Sequence, residues 1–97
     1  MKVSCPRHGD QIAAHVSKDV NAYIYDECLA DPLPRLFRFI DGDFVFNTVL
    51  SANFAADKGL TTRDNSLGNE EAPSWADELE AGCVVCLADR FGDLNSL

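Results

Sequence analysis

Two short stretches hold the residues best suited to chemistry: Cys5-Pro6-Arg7-His8-Gly9 and Gly82-Cys83-Val84-Val85-Cys86. In each, two soft donors flank two intervening residues, a spacing that lets a tight turn aim both at one ion. Cys5, His8, Cys83 and Cys86 together offer three thiols and one imidazole, a complete tetrahedral set for one Zn²⁺. Pro6 fixes φ inside the first turn, and Gly9 can take the backbone conformation that closes it. Four protein ligands leave no corner for water, so the zinc expected here is structural and no catalytic residue is assigned.

The remaining candidates have plainer readings. His15 could replace His8 as fourth ligand, but it lacks the two-residue spacing. Cys28 could be a ligand or a reactive thiol, and is read as a small core residue. Cys83 and Cys86 could form a redox dithiol, but the stretch before them reads as an acidic helix rather than the strand such a motif follows. Asp41-Gly42-Asp43 lacks the other ligands of a calcium loop and reads as a hairpin turn. Asp77, Glu78 and Glu80 read as a solvated face, and Trp75 as a core anchor whose alternative is an exposed contact residue.

Composition narrows the setting. A chain of 97 residues with 46% hydrophobic side chains is expected to form one domain, 1–97, with a modest core that a metal would help to hold. No apolar run reaches the length of a membrane span, and Met1-Lys2-Val3-Ser4 does not begin an apolar leader, so the expected location is the cytoplasm. Reduced thiols there favour metal over disulfides. Sixteen acidic residues against eight basic ones give a net charge of −8. That disfavours nucleic acid and anionic lipid as ligands and suits a basic protein partner, beyond the solubility that any acidic surface confers.

The elements that must position the ligands follow from pattern. Short strands are expected on both sides of the first motif, at 1–4 and 10–16. Ser17 can cap a helix from Lys18 to about Leu29, with a strand through 22–25 as the competing reading; Pro32 and Pro34 stop whatever precedes them. Residues 35–50 carry the strongest strand signal, two aromatic and β-branched runs around an Asp-Gly turn. Ser51 then caps a short helix that Gly59 ends, though residues 43–58 also fit one long helical face. Residues 60–73 read as loop, Ser74 as the cap of a helix over 75–81, Cys86–Phe91 as a final helical turn or two, and 92–97 as a frayed tail. The expected core is Ile12, Val20, Ile24, Leu36, Phe37 or Phe39, Ile40, Phe44 or Phe46, Val49, Phe54, Leu79 and Phe91.

The ligand arrangement resembles a treble-clef or zinc-ribbon site, in which one knuckle supplies two ligands and a second knuckle or helix start the other two. The resemblance covers only the two motifs. Most of the chain lies between them, unlike in those families, so none of their functions is carried over. The sequence therefore predicts an α+β fold: a small antiparallel sheet with two or three short helices, its terminal knuckles joined by one zinc. The expected function is that of a non-enzymatic protein–protein interaction module. The alternative is an acidic inhibitor or immunity-type protein that covers a basic enzyme's cleft, its capture speeded by charge. A small metal-dependent enzyme ranks last.

Overall fold

The structure, a computed structural model, describes residues 2–26, 28–66, 74–94 and 97. The described residues form a mixed α+β fold with one six-stranded sheet and three α-helices. The chain runs β1 (Lys2–Cys5), β2 (Gly9–Val16), α1 (Lys18–Tyr25), β3 (Arg35–Asp41), β4 (Phe44–Leu50), α2 (Ala52–Asp57), β5 (Asp64–Ser66), a 3₁₀ turn (Ser74–Glu78), β6 (Glu80–Cys83) and α3 (Val84–Phe91). Strands follow the order β1-β2-β4-β3-β5, and β6 joins β2.

The β3–β4 hairpin forms as its pattern dictates, paired from Arg35↔Leu50 to Asp41↔Phe44. Its two-residue loop is Gly42-Asp43, and Gly42 takes φ +58° at the first loop position, where a II′ turn needs glycine. Alternation along this hairpin decides both cores. On one face Leu36 and Val49 join Val16, Val20, Ile24, Cys86 and Leu87 beneath α1 and α3. On the other, Phe37, Phe39 and Leu50 pack with Ala55 of α2, flanked by Phe46, Phe54, Trp75 and Leu79. Phe37 and Phe39 are thus buried together rather than as alternatives. Ser51 caps α2 by accepting a hydrogen bond from the Phe54 amide at 3.1 Å. The single-helix reading of 43–58 is excluded, because 44–50 is strand.

Several expectations are corrected. The sheet is mixed rather than antiparallel, since β2 pairs with β4, and β3 with β5, in parallel. Helix α1 stops at Tyr25 because the Asp26 carboxylate accepts from the Cys28 amide, turning the chain. Cys28 is consequently exposed, not a core residue. Ser17 occupies the N-cap position of α1, but its hydroxyl receives the Ser51 amide and donates to Asp19, tying two element starts together instead of capping its own helix. The helix expected over 75–81 is a 3₁₀ turn followed by β6, which gains the Ala13–Val16 stretch of β2 as partner. Residues 64–66, read as loop, form β5 on β3; the loop positions 67–73 lie outside the described residues. Ile12 pairs with Lys2 and stays exposed, and Phe44 at the hairpin end is exposed while Phe46 is half-buried. Leu94 and Leu97 pack against the core instead of fraying; 95 and 96 lie outside the described residues.

Candidate metal centre

The β1–β2 hairpin places the first pair. Cys5 is the last residue of β1 and lies opposite Gly9, the first of β2. Gly9 adopts φ +71°, a conformation that L side chains resist, so the turn over Pro6, Arg7 and His8 can close tightly. The β6–α3 corner places the second pair: Cys83 ends β6 and serves as N-cap of α3, and Cys86 stands in the helix's first turn. Both pairs meet because β2 is the shared partner, pairing with β1 along 9–12 and with β6 along 13–16. Gly82 permits this approach, since a Cβ there would fall 2.9 Å from Val16 Cγ1.

The four ligand atoms lie within 4.8 Å of one another and could hold one metal ion. His8 Nδ1 is 3.4 Å from Cys86 Sγ, 3.6 Å from Cys5 Sγ and 3.8 Å from Cys83 Sγ, and Cys5 Sγ is 3.4 Å from Cys86 Sγ. The three cysteines are buried free thiols, and His8 is half-buried. His15 and Cys28 lie outside this cluster. His15 instead packs on Phe46, ring centroids 4.3 Å apart, and burial holds its imidazole below the ordinary histidine range.

Two of the clustered thiols, Cys5 and Cys86, are shifted in opposite directions. Burial pushes the Cys86 thiol up to about 12, reinforced by Cys5 and Cys83. Burial pushes Cys5 up as well, but hydrogen bonds from the Arg7 backbone, Cys86, and the His8 backbone and ring outweigh it and bring this thiol down to about 6.

Three further residues complete the surroundings, and motif reading missed all of them. Asp89 Oδ2 lies 3.3 Å from His8 Nε2, on the ring edge facing away from the thiols. Tyr25 Oη is 3.8 Å from Cys5 Sγ, and the Arg7 guanidinium stands 5.7 Å over the Tyr25 ring. Burial, then the neighbouring Cys5, pushes the Tyr25 hydroxyl above the usual phenol range, so it remains a donor toward the sulfur. Asp89 had a sequence signal, standing three residues after Cys86 on a helix and hence on its face. Tyr25, at the end of α1, had none.

Asp77, Glu78 and Glu80, expected as a solvated face, are all exposed. Glu78 pairs with Lys58 at 3.1 Å and Glu80 accepts from Asn21 at 3.1 Å. Trp75 is half-buried, edge-on to Phe39 and Phe54 at 5.5 Å, as a core anchor would be. Among the described residues no helix is long and apolar enough to cross a membrane. Compared with protein-family models, curated proteins and solved structures, the chain matches none.

Proposed function

We propose that this is a non-enzymatic protein held together by one structural zinc, which acts by binding another protein. The observation that supports the metal is the donor spacing. With Zn–S near 2.3 Å and Zn–N near 2.0 Å, tetrahedral zinc sets sulfurs about 3.8 Å apart and sulfur and nitrogen about 3.5 Å apart. The three His8–sulfur separations of 3.4 to 3.8 Å lie close to that geometry, and all four donors fall within 4.8 Å of one another. A hairpin turn supplying one pair and a strand-to-helix corner the other is the division of labour of a treble-clef-like site. The ligand set Cys5, His8, Cys83 and Cys86 fills four positions, which supports a structural and not a catalytic role.

The net charge of −8 supports a basic protein as the partner, in the cytoplasm where these thiols would stay reduced. The same charge keeps the inhibitor reading in play: an acidic surface covering the cleft of a basic enzyme would bind fast and weaken with salt.

Native mass spectrometry of the purified protein tests the metal. The expected mass includes one zinc, and a strong chelator removes it and broadens the charge-state distribution as the chain expands. Cys86→Ser, which removes one thiolate from the set, should abolish zinc retention and lower the melting temperature of the zinc-loaded sample by well over 10 °C, because structural zinc contributes its binding energy to folding. Wild type and Cys86→Ser melting together in zinc would refute the proposal.

A further inference from the structure

One cleft combines positive charge with an unused backbone group. It measures about 550 Å³ and lies between β3, α2 and the segment that leads into β5. Its wall is apolar, with Phe37 and Ala55 buried and Ala52 and Leu60 half-buried. Arg35 and Arg63, both exposed, also line it, and none of its lining residues is an aspartate or a glutamate. Acids outnumber bases sixteen to eight in this chain, so a cleft with two arginines and no acidic side chain runs against its composition.

Leu36 lines the same cleft, although its side chain belongs to the core on the opposite face of the sheet. Its main chain is therefore what reaches the cleft, and the hydrogen-bond pattern agrees. Val49, the register partner of Leu36, gives its carbonyl to the Ser17 amide at 3.2 Å, on the side away from β3. Leu36↔Val49 is thus a pair without mutual hydrogen bonds, and the Leu36 amide and carbonyl point outward from the hairpin. Two residues on, the Arg38 amide points the same way and donates to the Arg63 carbonyl at 2.7 Å, after which β5 takes up the edge. The Leu36 amide has no such acceptor among the described residues. Leu36 is buried, and a buried amide without an acceptor is rare in folded proteins. We infer that this cleft binds a small organic monocarboxylate with an apolar body. The carboxylate would accept from the Leu36 amide and meet the Arg35 and Arg63 guanidinium groups, whose planar sets of N–H donors match its two oxygens. The apolar body would lie against Phe37, Ala55 and Leu60. One negative charge is specified because the molecule as a whole carries −8, which opposes a polyanion more strongly than a monoanion. This site goes beyond the protein-binding role proposed above and depends on neither the partner nor the metal.

The probes are benzoate, 2-naphthoate, indole-3-acetate and octanoate, each titrated into the full chain beside its uncharged primary amide while backbone amide resonances are recorded. At least one carboxylate is expected to move the Leu36 resonance together with those of 52–56 and 60–63, and its amide counterpart should bind about tenfold more weakly. Arg35→Gln and Arg63→Gln should each weaken the carboxylate by about the same factor and leave the amide counterpart unaffected. Both arginines are exposed, so the variants should keep the wild-type melting temperature and metal content. Several outcomes would overturn the inference: no carboxylate moves these resonances, the amides bind as well as the acids, neither arginine variant changes the affinity, or the shifts map to another face. Zinc content of the same samples is measured in parallel. Failure of carboxylate binding with zinc present counts against the cleft alone, and absence of zinc with binding intact counts against the metal alone.

Discussion

His8 shows what one side chain must satisfy here. Its Nδ1 faces three sulfurs and its Nε2 faces the Asp89 carboxylate. A carboxylate there fixes the proton on Nε2, frees Nδ1 to donate its lone pair, and holds the ring plane in the ligating orientation. Asp89 is a positioning residue, acting only through His8. Asp89→Ala is therefore expected to weaken metal affinity about ten- to a hundredfold in a chelator competition, while the protein still binds one ion when metal is in excess. Asp89→Glu should recover part of the loss. Unchanged affinity in Asp89→Ala would mean that the exposed carboxylate contributes nothing to the ring's orientation.

At the scale of elements, β6 is the instructive case. Glu80-Ala81-Gly82-Cys83 has no strand propensity of its own and follows acids that suggest a helix. It is a strand because β2 offers four residues to pair with. Partnership of that kind is invisible in a local pattern. The β3–β4 hairpin was legible because aromatic alternation and Gly42 agree, and the four residues that cluster were legible because two matched spacings single them out. The parallel pairings were not, since they join stretches distant in sequence, and neither was the loss of Cys28 from the core, which one Asp26 hydrogen bond decides. Gly82 gives the element-scale prediction. A Cβ would press on both Val16 methyls at about 3 Å, and Val16 is fully buried and stiff at χ1. Gly82→Ala should cost about 1–3 kcal/mol in chemical denaturation, as overpacking does. Adding Val16→Ala should make the second change cost less in the Gly82→Ala background than alone, a coupling that a double-mutant cycle measures.

Across the whole molecule, the candidate ion would bridge segments 75 positions apart, since His8 and Cys83 are that far separated in the chain. Crosslinking so long a loop removes much of the unfolded chain's freedom. Loading the site also displaces protons from the thiols. Affinity should therefore rise with pH, and acidification should release the ion and lower the melting temperature together. Following zinc release with a chromogenic chelator while recording circular dichroism from pH 8 to 4 checks this; unfolding at a pH where zinc remains bound would separate fold from metal.

The same 75-position gap is also an interval in time. At about 5–20 residues per second, synthesis delivers Cys83 on the order of ten seconds after His8. Throughout that wait Cys5 and His8 can hold an ion by only two donors, and β2 has no β6 along Ala13–Val16. Until Cys83 emerges, β2 would lack its β6 partner and any ion at the first pair would be held by half of the candidate donor set. Completion of a four-donor site would thus wait on the segment that carries Cys83 and Cys86.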